Sequence, residues 1–449
     1  MRLKIIYILI LFTSVAAGQN VLDDYIRYGL DNNLALKQKE ADYKKSIEAL
    51  REARGLFYPD ISFQARYTVS EGGRVIEFPV GDLLNPVYLT LNQLTSSQMF
   101  PLLENQEILF LRPHEQETKL RLIQPVINPD IYYNSRIKKE LTLLEESDVS
   151  QYKRELRAEI RKAYYNVAMA DGILSMLKET RSLLLENIRV NKKLIENQKV
   201  TMDYLYRSQA ELSKFDQELQ NAGKNRKIAS AYFNFLLNRP LGDSITIVQP
   251  DGFPSLSGLS GEYTRVALEN REELQKLESY NNIAKLKESM ESSGKIPDLS
   301  LVVDYGLQGT EYRFNREEDY VQASALLSWN LFKGFQNRSK IRQAAIDREI
   351  AERQLEEARK QIELQVLSTI SELLTAEKGI AAAESRLKNA NEGFRLVSRK
   401  YEEGQATQIE YLDARSTMTQ AASNLIISKF TYLSAFAEFE KVAATSKQE

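Results

Sequence analysis

Two rhythms of apolar residues run along this chain. Over residues 61–70 they alternate without error, with Ile61, Phe63, Ala65, Tyr67 and Val69 on one side and Ser62, Gln64, Arg66, Thr68 and Ser70 on the other. Period two marks a strand whose faces meet different surroundings. Leu299, Leu301, Val303, Tyr305 and Leu307 repeat the pattern against Ser300, Asp304, Gly306 and Gln308, with Val302 the exception. Each run predicts a partner downstream, at 118–126 and 320–331, the second led by Val321, Ala323, Ala325, Leu327 and Trp329. Two hairpins, four strands in all, follow. Strict alternation over about ten residues suits a tilted strand crossing a bilayer. A half-buried soluble sheet gives the same alternation. Four strands cannot close a barrel, because the smallest filled barrels take about eight. Membrane-spanning strands would therefore need several chains to share one barrel.

The second rhythm is helical and long. Residues 132–198 hold no proline and only Gly172, and residues 339–403 hold no proline and only Gly379 and Gly393. Roughly 65 helical residues extend on the order of 100 Å, beyond globular helices. Leu373, Ala376, Ile380, Ala383, Leu387, Ala390, Phe394, Val397 and Tyr401 step by three and four, the seam of a coiled coil. Upstream, Leu355, Ala358, Ile362, Val366, Ile370 and Leu373 include successive steps of four, which lessens the left-handed supercoil. Returning helices are expected over 203–238 and 410–442, and Leu205, Ser208, Leu212, Phe215, Leu219 and Ala222 carry the seam back. Each half thus ends in an antiparallel helical hairpin.

The halves share a grammar. Helices expected over 24–53 and 262–292 precede Tyr58, Pro59, Asp60, Ile61, Ser62, Phe63 and Ile296, Pro297, Asp298, Leu299, Ser300, Leu301, whose prolines stand 238 positions apart. The simplest account is an internal duplication, residues 19–238 and 262–449, joined by a linker over 239–261 rich in proline, glycine and serine. The repeats differ in one place: residues 72–116 form a long connection between the first two strands, read as an external loop capping the barrel. His114 within it reads as a surface residue. Residues 1–18, with Arg2 and Lys4 ahead of an apolar stretch and a small-residue end at Gly18, read as a cleavable export signal.

Composition then removes whole classes of chemistry. Among 449 residues there is no cysteine and one histidine, so disulfides, thiol catalysis and a multi-histidine or thiolate metal site within one chain are excluded. With 60 Lys+Arg against 62 Asp+Glu the net charge is -2, which leaves no basic field for a nucleic acid. No phosphate-binding glycine loop occurs, and no nucleophile, base and orienting group can be assembled from motifs, so neither an enzyme nor a cofactor is expected. The 43% hydrophobic and 27% charged content argues against a helical membrane protein. An exported coiled-coil scaffold without a pore stays open on these grounds.

One segment is more specific. Glu410 and Asp413 lie three apart on one helix face just after Tyr401, Glu402, Glu403, Gly404, Gln405, Ala406, Thr407, Gln408 and Ile409. They read as a solvated face, or, where three chains meet, as six carboxylates crowding a constriction with cationic preference. This Y-x-x-G turn with its acidic pair, together with Leu331, Phe332, Lys333, Gly334 and Phe335 at a strand-to-helix junction and Ile127, Asn128 and Pro129 in the matching place, resembles the TolC-type outer-membrane factor family. The resemblance covers essentially the whole mature chain. It implies a mainly α fold with a membrane β-barrel portion, four strands per chain plus long antiparallel coiled-coil hairpins, and a barrel closed by trimerisation. It implies an exit duct in the cell outer membrane with a long periplasmic extension, a homotrimer fed by a periplasmic adaptor and an inner-membrane efflux pump or ABC exporter. It places Glu410, Asp413 and Asp203 at the periplasmic aperture, beside a turn formed by Tyr401, Gly404 and, in the first half, Asn197, where the family has a glycine and asparagine can take the left-handed conformation. Some members carry an arginine at the position of Ala406 that ties neighbouring helices shut; here Arg399, Lys400 or Arg415 is expected to stand in.

Overall fold

The structure is a computed structural model and describes residues 15–248, 252–256, 258, 260–313 and 316–445, with side chains from residue 21 onward. The export signal expected over 1–18 therefore falls outside the described residues up to position 14, and the end of the second repeat does so beyond 445. In chain order the elements are α1 (Val15–Asn32), α2 (Leu34–Gly55), β1 (Asp60–Val69), β2 (Val75–Phe78), α3 (Val80–Thr95), β3 (Gln106–Leu109), β4 (His114–Ile127), α4 (Pro129–Glu196) and α5 (Met202–Leu236). The second half follows with α6 (Ser260–Asn270), α7 (Glu272–Ser293), β5 (Asp298–Gly309), β6 (Asp319–Ser328), α8 (Gln336–Glu402) and α9 (Gln408–Ala443). Two compact units result, one drawn from segments 1–47, 140–284 and 346–449, the other from 48–139 and 285–345.

The second unit holds an antiparallel sheet in the order β1-β4-β5-β6. Its register lines the alternating apolar residues into rows: Ile61, Leu122, Val303 and Ala323 stand side by side, then Phe63, Leu120, Tyr305 and Val321. A slip of one residue would turn every row to the other face, so the pattern specifies the pairing. These apolar rows are open to solvent in one chain, Phe63 at 68% and Val321 at 71% exposure. The other face is charged and mutually satisfied. Arg121 donates to both oxygens of Asp304 at 2.8 and 2.7 Å, Lys119 meets Glu117 at 2.6 Å, Arg66 reaches Glu117 at 3.3 Å, and the Tyr320 hydroxyl donates to Glu117 at 3.2 Å. The connection over 72–116 is not an irregular loop. It folds into β2, α3 and β3, with β2 and β3 paired as a separate ribbon, because asparagines inside it supply local hydrogen bonds. His114 opens β4, exposed, with its Nδ1 3.3 Å from the Tyr67 hydroxyl.

In the first unit the expected seams face inward. Ile362, Val366, Ile370, Leu373 and Ile380 are buried with Tyr432 and Phe439 of α9, and Phe215 and Ala222 of α5 with Leu177 and Leu184 of α4. A further core joins Leu22, Ile26 and Leu36 to Ile160, Val167 and Phe233. Here Gly29 lets the helices approach, since a Cβ at that position would come within 2.4 Å of Ile160 Cδ1 and force that side chain to shift. Residues 24–53 and 262–292, each expected as one helix, are each two. Asn33 ends α1 and caps α2, its Oδ1 accepting from Leu36 N at 2.9 Å while its Nδ2 donates to Leu236 O at 2.8 Å. In the second half the break falls at Arg271, 238 positions on, where the side chain donates to Glu273 at 2.8 Å and to Gln365 at 2.6 Å. Periodicity missed both breaks because a single polar residue, Asn33 or Arg271, ends one helix and leaves the apolar stripe intact on either side.

Candidate functional site: the hairpin turns

Both helical hairpins reverse by the same turn. The amide of Gln198 donates to Ile195 O at 2.9 Å and that of Lys199 to Leu194 O at 2.9 Å; Gly404 donates to Tyr401 O at 3.0 Å and Gln405 to Lys400 O at 2.7 Å. This paired arrangement satisfies the last carbonyls of a helix and demands a left-handed residue. Gly404 supplies it at φ +75° without steric cost, and in the first hairpin Gln198 does so at φ +56°. The left-handed place therefore belongs to Gln198 and not, as expected, to Asn197, whose amide instead donates to Lys193 O at 2.8 Å within the last turn of α4. Sequence reasoning missed it by one position because glutamine carries no turn signal.

The next helix in each hairpin opens on a threonine. Thr407 and Glu410 form a reciprocal cap: Glu410 N donates to the Thr407 hydroxyl at 3.3 Å, and Thr407 N donates to Glu410 Oε2 at 2.6 Å. The bond from the Thr407 backbone amide holds the Glu410 carboxyl below its ordinary value. Glu410 is thus an exposed carboxylate and a structural cap at once. Asp413 is exposed one turn further on, with no such duty in the hydrogen bonds described for it. Asp203, in the first turn of α5, accepts from the Thr201 hydroxyl and lies 3.9 Å from Arg207.

Behind these exposed acids is a buried polar cluster that ties the two hairpins together. The Tyr401 hydroxyl of α8 donates to Asn191 of α4, whose Nδ2 donates to the Ser208 hydroxyl at 2.7 Å; Ser208 in turn donates to Asn187 Oδ1 at 2.7 Å. From α9, Gln408 Nε2 donates to Tyr204 O at 2.6 Å and to Ser208 at 2.9 Å, and Arg415 Nη2 to Glu211 of α5 at 2.6 Å. Arg415 is 3% exposed and lies 5.6 Å from the Phe215 ring centre. Of the three cations expected to replace the arginine missing at Ala406, Arg415 is the one so engaged; Arg399 and Lys400 are exposed. The Tyr401 and Tyr411 rings lie tilted with their centres 4.9 Å apart, and burial pushes the Tyr411 phenol up to about 12. Asn187, Asn191 and Glu211 were not named from the sequence, and Ser208 and Gln408 were read only as a seam position and as part of the turn segment. Their signal was there: Ser208 interrupts the apolar seam of α5, and Asn187 and Asn191 are four apart on the facing stripe of α4.

Among the described residues no group of three or more His, Asp or Glu side chains is placed to hold a metal ion, and no helix is long and apolar enough to cross a membrane. The arrangement joins the two hairpins through buried polar contacts and presents negative charge on its exposed side.

Comparison with known proteins places this geometry. Residues 264–444 match the family model described as outer membrane efflux protein. The chain is 19% identical to the outer membrane protein TolC of Salmonella enteritidis, over 94% of this chain and 81% of that one. Its fold superposes on VceC of Vibrio cholerae with a TM-score of 0.76 at 14% identity, covering 96% of this chain and 98% of that one. It superposes on the open-state MtrE outer membrane channel of Neisseria gonorrhoeae with a TM-score of 0.75 at 15% identity, covering 94% and 88%. These matches bear out the resemblance to the TolC-type outer-membrane factors, and the fold is theirs: mainly helical, with one four-stranded sheet and two long helical hairpins.

Proposed function

We propose that three copies of this chain form an outer-membrane duct that passively releases substrates delivered by an inner-membrane pump or ABC exporter through a periplasmic adaptor. The observation that carries this reading is the sheet. It is apolar on one face, ion-paired on the other, and bounded by β1 and β6 as its two edges. An open edge beside an exposed apolar face is unstable alone, and in lipid only a closed barrel satisfies every backbone group. Joining β6 of one copy to β1 of the next gives twelve strands from three chains, apolar outward and charged toward the lumen.

The hairpin turns are then the periplasmic aperture. Three sets of Glu410, Asp413 and Asp203 would ring it with negative charge, and the Tyr401–Asn191, Gln408–Tyr204 and Arg415–Glu211 contacts would hold α8 and α9 against α4 and α5 in the narrow state. The two halves, with helix breaks at Asn33 and Arg271, are read as repeats of one unit. The test is fractionation of cells expressing the full chain. A species in the outer membrane with the mass of three chains, whose gel mobility changes on heating, supports the duct. Well-folded monomer in the soluble periplasmic fraction would overturn it and favour the scaffold.

A further inference from the structure

The segment between β1 and β4 contains a helix, α3, fastened by asparagines and carrying large apolar side chains on its exposed side. On α3 the less exposed positions mix two asparagines with Tyr88 and Leu91: Asn85 clamps Leu103 at both backbone groups, 2.9 and 2.7 Å, and Asn92 clamps Phe100 likewise, 2.7 and 3.0 Å. The outward side carries large apolar groups, with Leu83 at 66%, Val87 at 51% and Leu94 at 77% exposure on one stripe, continued by Met99 at 75% in the strand-free stretch beyond. The β2–β3 ribbon is exposed at all eight paired positions, Ile76, Phe78 and Ile108 among them. A two-stranded ribbon exposed on both faces is marginal on its own, and so many large apolar groups in water ask for cover.

Two observations identify what covers them. Between residues 75 and 111 there are four carboxylates, Glu77, Asp82, Glu104 and Glu107, and no lysine or arginine. Helices that rest on anionic membrane surfaces carry basic residues on the polar face, so the charge here has the wrong sign for a headgroup layer. The segment also departs from Val69 at the end of β1, an edge of the sheet, and returns at His114 directly opposite in register. If copies join through that edge, the three segments are held around one small circumference, at the high effective concentration that tethering gives. Resting on the trimer proposed above, we infer that the outward face of α3, with Met99, packs against the same segment of the neighbouring copies, forming an apolar collar at the strand ends.

The full chain has no cysteine, so single thiols report cleanly. Leu83→Cys, Leu94→Cys and Met99→Cys replace exposed side chains and leave the asparagine clamps in place; Glu311→Cys, in the exposed turn between β5 and β6, serves as reference. Each is treated in native outer membranes with a flexible bis-maleimide and, separately, with a water-soluble polymeric maleimide. The collar predicts cross-linked dimers and trimers from the three α3-segment variants, with polymer labelling about tenfold slower than at Glu311→Cys because a packed interface excludes water. Trimers that label as fast as the reference and do not cross-link would overturn the collar alone. Trimers that react only with a membrane-permeant maleimide would assign the face to lipid and overturn it too. A chain that is monomeric by mass would overturn both the collar and the duct.

Discussion

At the scale of single residues, the exposed acids at the hairpin turns divide by what else they do. Glu410 accepts from the Thr407 amide, so removing its side chain disturbs the start of α9 as well as the charge. Glu410→Gln keeps a capping-box partner and removes only charge, whereas Thr407→Ala is expected to cost about 1 kcal/mol of stability by thermal or denaturant unfolding. Because the folded carboxyl of Glu410 sits below its unfolded value, its contribution to the cap is present above the ordinary glutamate range and is lost as pH falls through the folded value. Arg415 and Glu211 form a pair of another kind. Arg415→Met leaves Glu211, a partly exposed carboxylate, without its partner and is expected to cost about 2 kcal/mol, less than a fully buried pair. Adding Glu211→Leu should return much of that loss in a double-mutant cycle. A cycle with no coupling would show that the two side chains meet without holding the hairpins together. The acidic pair and Tyr401 stood out in the sequence because they flank the turn at Gly404. Arg415 was legible only as one of three cations, since its partner lies 204 positions away on another helix.

At the scale of elements, the long helices follow from the absence of proline and an unbroken seam, and they run within a few residues of where the periodicity ends. What periodicity could not show is where a continuous stripe hides two helices. At Arg271 the break is held by charge: burial pushes the Glu273 carboxyl up, but the hydrogen bond from Arg271 and the charges of Arg154 and Arg271 outweigh it and leave the group at about 2. A carboxyl lowered on folding stabilises the fold above its unfolded value, ordinarily near 4.5, and that contribution disappears as pH falls toward 2. Between about pH 5 and pH 2 the parent is expected to lose on the order of 3 kcal/mol relative to Glu273→Gln, measured by chemical unfolding across the range. Parallel curves for the two proteins would remove the charge from the account of this junction. The equivalent break at Asn33 depends on neutral bonds, so Asn33→Ala is expected to destabilise by about 1–2 kcal/mol without that pH dependence. The connection over 72–116, read as a loop from its length, holds ordered elements in which Asn85 and Asn92 each tie a following segment to α3.

At the scale of the whole molecule, alternation in four strands and a seam in two hairpins were enough to read the fold, because both are dictated by which surfaces each residue must avoid. Barrel closure is a property of several chains, and its trace in one chain is an apolar face with nothing over it and two edges awaiting partners. On the trimer proposed above, the exposed acids at the hairpin turns would form a ring of charge only where three turns meet. The most direct measurement is single-channel conductance and ion selectivity of the full-length protein in a planar bilayer, beside Glu410→Gln with Asp413→Asn and Asp203→Asn, a variant that removes the charge and keeps the cap. Small, cation-preferring currents from the parent, with that preference reduced and the openings enlarged in the variant, are the predicted result. Folded trimers that carry no current, or a selectivity indifferent to the three substitutions, would contradict it.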